Sequence, residues 1–460
     1  MTALTEETTS SPAAVVGALR RVFASGQTRD HAWRDAQLAG LGRLLSERGD
    51  DLVAALAADL RRTEFESIMF DLVSITPEIK HARNKLKRWM MPRRVSVPLN
   101  VKPGKAWYTY EPLGVVMVIG AWNYPVNLTF MPLIAALAAG NCVVVKPSEV
   151  ASHTSAALAE LLPLYVDPEA VVVVEGGAEV TLDLIDQNLD HVFFTGSPTV
   201  GSAIMAAASK HLTPVTLELG GKCPVIVTES ARLDVAARRI AFGKLANSGQ
   251  TCVAPDYVMV DRKVRDEFVP LLVKTLEEFS EGRRLPIVNQ RHAARIEALV
   301  ASAGGQVVTG GDVDVENASA PITVVLDPAP GSAIMAEEIF GPVLPVVTVE
   351  GLDDAIGRVN AGTKPLASYL FTQDRSDEER SLAGFSAGAT VINHVMMHMA
   401  VHDLPFGGVG TSGTGRYHGH WGFETFSHAK AILRQQTRID PRLMYPPYSP
   451  RFQKMVRKQL

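Results

Sequence analysis

Cysteine is scarce in this chain: Cys142, Cys223 and Cys252 are the only three in 460 residues. They are far apart, odd in number, and form neither a CxxC pair nor a Cys/His zinc spacing, which argues against a disulfide framework and the common zinc modules. Long apolar runs are missing too. "LGVVMVIGAW" and "LTFMPLIAALAAGNCVVV" are too short, or too interrupted by Asn and Gly, for the about 20 residues that a bilayer-spanning helix takes. Neither sign of charge prevails. The 45 basic and 49 acidic residues are mixed along the chain, the formal net charge is −4 and the pI about 6.3, so nothing points to nucleic acid or an anionic membrane. The start, "MTALTEETTSSPAAVV", lacks the basic residues and apolar core of a secretory signal. Repeats and low-complexity linkers are absent. The expectation is a cytoplasmic protein of two or three domains that meets a small molecule.

What is present is α/β patterning. From Ser11 to about Asn84 apolar residues recur at helical spacing, as in "LAGLGRLLSERGDDLVAALAADL". Between about Trp89 and Pro112 the chain turns to Pro-punctuated alternation, which predicts an extended arm suited to an oligomer contact. From Leu113 to Leu217 strand-length runs ("GVVMVIGAW", "CVVVKP", "VVVVEGG", "HVFFTGS", "TPVTLELGG") alternate with amphipathic stretches, the mark of βαβ units and a parallel sheet. A second, less regular α/β series follows to Asn393, including "CPVIVT", "DYVMVD", "PVLPVVTV" and "ATVINH". The Gly-rich "PFGGVGTSGTG" and a basic tail from about Ile432 close the chain.

Several strand ends carry chemistry-bearing residues, each with an equally plain structural reading. "FTGSPTVGSAI" puts a small-residue turn between a strand and a helix, with Ser197 as N-cap and Pro198 in the first turn. Its free N–H groups suit a pyrophosphate, although Pro198 replaces the second glycine of GxGxxG and an ordinary βα turn reads the same. Lys146 and Glu149 in "VVVKPSE" end a strand where open α/β sheets bind ligands, or are simply a solvated strand end. Asn123 in "AWNYP" offers an amide donor at the same edge, or serves the turn before Pro125. Glu218 in "TLELGGKCP" sits among leucines, which raises a carboxyl pKa toward that of a general base. Cys252 in "NSGQTCVAPDY" is either a nucleophile or a small buried hydrophobe.

Taken together, "WNYP", "KPSE", "FTGS", "LELGGK", "SGQTC", "EEIFGPV" and "LPFGGVGTSGTGRYHG…FETFSH", in this order over nearly the whole chain, resemble the aldehyde dehydrogenase superfamily, closest to its class 3, fatty and aromatic aldehyde branch. The resemblance implies an α/β fold with a Rossmann-like parallel-sheet cofactor domain (1–217, interrupted by a small β oligomerisation arm at 89–112), an α/β catalytic domain (218–409) and a C-terminal segment (410–460) that contributes to oligomerisation. It implies a homodimer without a membrane span or a nucleic-acid partner. NAD or NADP is the implied cofactor, and the implied substrate is a medium- or long-chain aliphatic or an aromatic aldehyde oxidised to the acid. By the same resemblance, Cys252 is the nucleophile, Asn123 and the Cys252 backbone N–H hold the oxyanion, and Glu218 activates the water that releases the acid. Lys146 and Glu149 belong to the adenine ribose, Gly196 and Ser197 to the pyrophosphate turn, Gly201 to close helix–sheet packing, and Glu338 with Phe340 to the nicotinamide ribose. No His or Lys lies beside Cys252 within its motif to ionise it.

Two features depart from that pattern. His394, His398 and His402 recur at i, i+4 and i+8, a spacing that brings three imidazoles onto one face of a helix. No carboxylate pattern of a zinc hydrolase accompanies them, Gly and Pro follow at once, and no metal is expected; His394 stands where many relatives carry an acid. The stretch from Glu278 to His292 is shorter than its family counterpart and reads as a trimmed surface loop. Two other functions use the same residues: a coenzyme A-acylating dehydrogenase, which resolves the thioester with a thiol, and a cysteine esterase without redox chemistry.

Overall fold

The computed structural model describes residues 11–438, 440, 442 and 445–458, so the reading of the first ten residues lies outside them. Helices Pro12–Ser25, His31–Glu47, Gly49–Leu60 and Ile75–Trp89 build the α-rich leader. Their apolar stripes (Leu38, Leu41, Leu44, Leu52, Leu56, Ile79, Leu86) pack into the same core as the helix Asn127–Ala139, which is apolar all round and almost wholly buried.

That helix covers a six-stranded sheet. In spatial order its strands are Gly413–Thr414, Val215–Leu219, His191–Gly196, Val115–Ile119, Cys142–Lys146 and Val171–Val173. The last five are parallel and, counted along the chain, lie in the order 5-4-1-2-3 of a doubly wound sheet. Their near-continuous β-branched runs are buried on both faces, as parallel strands between helices require. The order reverses between Val115–Ile119 and His191–Gly196, which opens a crevice at their carboxyl ends.

A seven-stranded sheet follows, in the order Gln306–Thr309, Thr323–Leu326, Val343–Val349, Tyr257–Asp261, Pro224–Val227, Ala367–Phe371 and Ala389–Ile392, all parallel except the first. Ala367–Phe371 escapes the sequence reading because "ASYLF" is short and follows a polar turn, yet it is fully buried between Pro224–Val227 and the edge strand Ala389–Ile392. The arm is real but larger than expected. Arg93–Val95 and Lys105–Pro112 pair with a third strand, Ser427–Arg434, drawn from the part read as Gly-rich block and tail. Its alternation is faint because few of its residues are apolar on either face.

The two features that depart from the family pattern take a definite form here. The three histidines do not share a helical face: His394 follows strand Ala389–Ile392, a short 3-10 turn spans Met397–Ala400, and His402 lies beyond it. The short surface stretch 278–292 is anchored on both sides. Leu285–Pro286 pairs with Ser319–Ala320, Arg61 donates to the Ile287 carbonyl, and Gln250 binds this stretch from the other side.

Candidate active site

The two sheets meet the same space from opposite ends. The first contributes the carboxyl ends of its strands, with Asn123 just beyond Val115–Ile119, Gly196 and Ser197 at the end of His191–Gly196, and Glu218 near the end of Val215–Leu219. The second contributes the segments that run into the amino ends of its strands: Cys252 ahead of Tyr257–Asp261, and Glu338 with Phe340 ahead of Val343–Val349.

The cysteine loop takes its shape from an unusual backbone. Helix Leu233–Leu245 ends, and Asn247, Ser248 and Gly249 follow at φ 50°, 57° and 73°, three consecutive residues in the left-handed region. Gly249 is required here, since a Cβ would stand 2.4 Å from the Gly341 carbonyl oxygen. The Asn247 side chain restrains the turn: its amide donates to the carbonyls of Asn123 (2.9 Å) and Gln250 (3.0 Å), while its Oδ1 accepts from Arg62 (3.0 Å). Gln250 in turn donates to Asn247 and Pro286 and accepts from Val288 N–H.

Arg62 is the centre of this network. It is buried, pairs with the fully buried Asp71 at 3.0 Å, donates to the Asn123 carbonyl, and lies 4.7 Å from the Tyr124 ring centroid. Asp71 accepts from Asn127 N–H, and burial outweighs Arg62 in setting its pKa, raising it to about 6. One buried ion pair thereby fixes both Asn123 and the cysteine loop. The Asn123 amide donates one N–H to the Gln250 carbonyl at 3.0 Å. Tyr124 and Thr251 share a short hydroxyl contact.

At the centre, the Cys252 thiol is pushed up to about 12, by burial first and then by the charges of Glu338 and Glu218; hydrogen bonds from the Cys252 and Val253 backbone N–H groups work in the opposite direction. Both Glu218 carboxylate oxygens are buried without a hydrogen-bond partner, and desolvation lifts its pKa well above the usual carboxylate range. The Tyr417 hydroxyl feels both Glu218 and Cys252. Gly413, opposite Glu218 in an antiparallel pair, closes that side.

A second buried pair holds the Glu338 segment. Lys222 binds Asp256 at 2.6 Å and the carbonyls of Ile334 and Glu337, and Asp256 accepts from Ile339 N–H. Gly220 leaves room for the Glu338 carboxylate, since a Cβ there would meet Oε2 at 1.9 Å. Glu338 Oε1 has no partner, and burial lifts this carboxyl to about 8. Phe340, at φ 51°, meets Trp122 edge-on at 5.4 Å.

These features fit a dinucleotide. Ser197 caps the helix Pro198–Ser209 by accepting from Val200 N–H, and the turn is open to solvent. Gly201 lets that helix meet the sheet, with Leu219 2.6 Å from any added Cβ. The orphaned Glu338 Oε1 lacks only a hydroxyl donor. At the neighbouring strand end, Lys146 is 1% exposed, donates to the Pro147 carbonyl, and lies 3.8 Å from the exposed Glu149 carboxylate.

His398, His402 and His418 gather around Phe406 and Glu78. His398, Phe406 and His418 stack at 5.7 and 5.1 Å, His402 pairs with Glu78, and the Glu78 carboxylate also accepts from Gly419 N–H. His394 turns onto its own backbone, Nδ1 accepting from Val395 N–H. Among the described residues no group of three or more His, Cys, Asp or Glu is arranged to hold a metal ion. Arg62, Asp71, Asn247, Gln250 and Asp256 were absent from the sequence reading. The only local signal was that Asn247, Gln250 and Asp256 flank Cys252 within one motif.

The model of the aldehyde dehydrogenase family matches residues 3–432. The chain is similar to aldehyde dehydrogenase family 3 member H1 of Arabidopsis thaliana, 44% identical over 95% of this chain and 92% of the relative. It is 42% identical to the mouse (Mus musculus) aldehyde dehydrogenase described as dimeric and NADP-preferring, over 95% of this chain and 98% of that one. Among solved structures it is similar to a substrate-bound state of Staphylococcus aureus AldH, with a TM-score of 0.93 and 40% identity, covering 97% of this chain and 99% of that chain.

Proposed function

The chain belongs to the aldehyde dehydrogenase family, and we propose that it performs the NAD(P)-dependent oxidation of apolar aldehydes with Cys252 as nucleophile, Asn123 as oxyanion donor and Glu218 as general base. One observation carries this reading: a thiol faced by its own and the next backbone N–H lies within the field of Glu218, whose two buried carboxylate oxygens lack hydrogen-bond partners, and of Glu338, whose Oε1 lacks one.

The electrostatics also answer how Cys252 ionises without a neighbouring cation. While either carboxylate is charged, the thiolate is opposed. Passing the thiol proton to Glu218 removes its opposing charge and leaves a thiolate facing two N–H dipoles, which is the productive pairing. Sulfur then bonds to the aldehyde carbon. The carbonyl oxygen, becoming an oxyanion, is met by the second N–H of the Asn123 amide and by the Cys252 backbone N–H; one such donor is worth about 3 to 4 kcal/mol. NAD or NADP, when bound, would supply the hydride acceptor for this site; once hydride has left the former aldehyde carbon, Cys252 carries the acyl group as a thioester. Once it has released the thiol proton to solvent, Glu218 takes a proton from water, and the hydroxide displaces Cys252 as its thiolate to release the carboxylic acid.

Support for an apolar substrate comes from the rim. Phe65 (72% exposed), Ile68, Met69 and Val73 belong to the segment whose Phe70 ring lies 6.2 Å from Phe242, and Gly243 packs on Val395 and Met396, bringing the exposed Met397 and Val401 alongside. Such a convergence of exposed apolar side chains suits alkyl or aryl aldehydes. The free edges of the three-stranded arm support a homodimer, and a nucleophilic free thiol suits a reducing, cytoplasmic setting.

The test is pre-steady-state. Glu218→Gln is expected to give one burst of reduced cofactor and then stall, whereas Cys252→Ala gives none and loses about 10⁴-fold or more in turnover. Steady turnover by Glu218→Gln sinks the base assignment. Acyl-coenzyme A as main product, or ester hydrolysis with no reduced cofactor for any aldehyde, replaces the reaction itself.

A further inference from the structure

Cys223 is fully buried, and the reaction assigned above does not use it. It directly precedes the strand Pro224–Val227, which lies between Tyr257–Asp261 and Ala367–Phe371 in the seven-stranded sheet. Its backbone carbonyl accepts from Asp256 N–H at 2.9 Å, which ties it to the far end of the cysteine loop. Two hydrogen bonds place its thiol. Sγ accepts from Ala367 N–H at 3.4 Å, at the start of the neighbouring strand, and the S–H donates to the Cys252 carbonyl at 3.3 Å. Burial pushes this thiol well above its ordinary range, the Ala367 hydrogen bond opposes that only in part, and Cys223 keeps its proton and remains a donor.

The carbonyl it reaches decides what this bond does. The C=O of Cys252 and the N–H of Val253 belong to one planar trans peptide and point in opposite directions. The Cys252 sulfur is on the N–H side, where the Val253 N–H favours its negative charge, and Cys223 is on the other. A chain of hydrogen bonds therefore runs from Ala367 N–H through Cys223 Sγ and the Cys252–Val253 peptide to the nucleophile. Each bond in such a chain polarises the next, and the low dielectric of the interior makes that effect stronger. The next carbonyl, that of Val253, accepts from the Tyr369 hydroxyl on the same strand as Ala367. Two successive peptides of the cysteine loop are thus fixed by Ala367–Phe371. We propose that Cys223 is a positioning residue for the nucleophile, its S–H aiming and polarising the Cys252–Val253 peptide so that the Val253 N–H meets the Cys252 thiolate. This role rests on Cys252 being the nucleophile and concerns how its thiolate is stabilised. A serine hydroxyl at this place supplies the same donor in nearly the same volume, whereas alanine and valine supply none.

The experiment follows alkylation of Cys252 by iodoacetamide in the cofactor-free enzyme between about pH 7 and 9, read by mass spectrometry of the peptide that carries it. Cys223→Ala is expected to slow it by one constant factor of about threefold to tenfold across that range, because losing a neutral donor raises the Cys252 pKa by about half a unit to one unit. Cys223→Ser is expected to stay within about twofold of wild type. Cys223→Val, which fills the volume without a donor, is expected to match Cys223→Ala, so the role stays testable if alanine leaves too large a void. With an aldehyde present, the burst of reduced cofactor slows by a like factor in the variants lacking the donor, while cofactor affinity keeps its wild-type value. Equal slowing in Cys223→Ser and Cys223→Ala assigns Cys223 to packing alone and overturns the role. A wild-type alkylation rate in Cys223→Ala or Cys223→Val overturns it as well. Failure of the nucleophile assignment shows separately, as aldehyde oxidation by Cys252→Ala.

Discussion

The two large sheets deliver opposite edges to one site. The six-stranded sheet offers carboxyl ends, where Asn123, Lys146, Ser197 and Glu218 stand on or directly beyond buried strands. The seven-stranded sheet offers amino ends, where Cys252 and Glu338 ride on loops that approach the sheet rather than leave it. A carboxyl edge at a switch of strand order is a ready-made crevice whose residues are held by the sheet itself. The amino edge has no such support. Its loops depend on buried ion pairs brought from elsewhere: Arg62 and Asp71 for the cysteine loop, Lys222 and Asp256 for the Glu338 segment.

If that contrast is right, removing support costs more on the amino edge than on the carboxyl edge. Arg62→Met leaves Asp71 buried without its partner and frees Asn247, so a loss of about 3 to 5 kcal/mol in unfolding free energy is expected, with activity lost along with it. Lys146→Met on the carboxyl edge removes a lysine held by the Pro147 carbonyl and the exposed Glu149. Its expected effect is a raised KM for the cofactor with little change in stability. Equal losses in denaturant titration would dissolve the distinction between the two edges.

Asn123 belongs to both, since its side chain starts from one sheet and donates to the carbonyl of Gln250 on the other's loop. Asn123→Ala is expected to lower kcat about 10² to 10³-fold while cofactor affinity barely moves, read by steady-state kinetics and cofactor titration. The reverse pattern, weak cofactor binding with intact kcat, removes its oxyanion role.

The same contrast explains what could be read from sequence. The parallel sheet, its strand-end residues and the Ser197 cap follow from local pattern, because a strand and its turn are adjacent in the chain. Arg62 does not. It lies 185 residues from Asn247, and "LRRTEFES" gives no sign that one arginine of the pair is buried while its neighbour Arg61 reaches the surface stretch at Ile287. The histidine spacing misleads for a related reason: the period is helical, but Asn393 and Met396 adopt positive φ and break any helix before it starts. Ser427–Arg434 was missed because its partners, the arm strand at Lys105–Pro112, lie more than 300 residues away and leave it mostly exposed.

The smallest expected effect tests the electrostatics of the amino edge. Burial is the leading reason the Cys252 thiol stands near 12, and Glu338 comes second. Glu338 itself titrates near 8, so below that pH it is largely neutral and opposes the thiolate little. Above 8 it ionises and holds the thiol proton on. Glu338→Gln removes this charge without removing the burial. The rate of thiol alkylation in the cofactor-free enzyme, followed as pH is raised, is therefore expected to match wild type below about pH 8 and to exceed it above, with the midpoint displaced downward by less than about one unit. Glu218→Gln should act in the same direction, since that carboxylate also opposes the thiolate. A midpoint moved upward by either change means that the carboxylate stabilises the thiolate rather than opposing it. The proton transfer from Cys252 to Glu218 would then lose its driving force, and ionisation would have to rest on the backbone N–H groups of the amino edge alone.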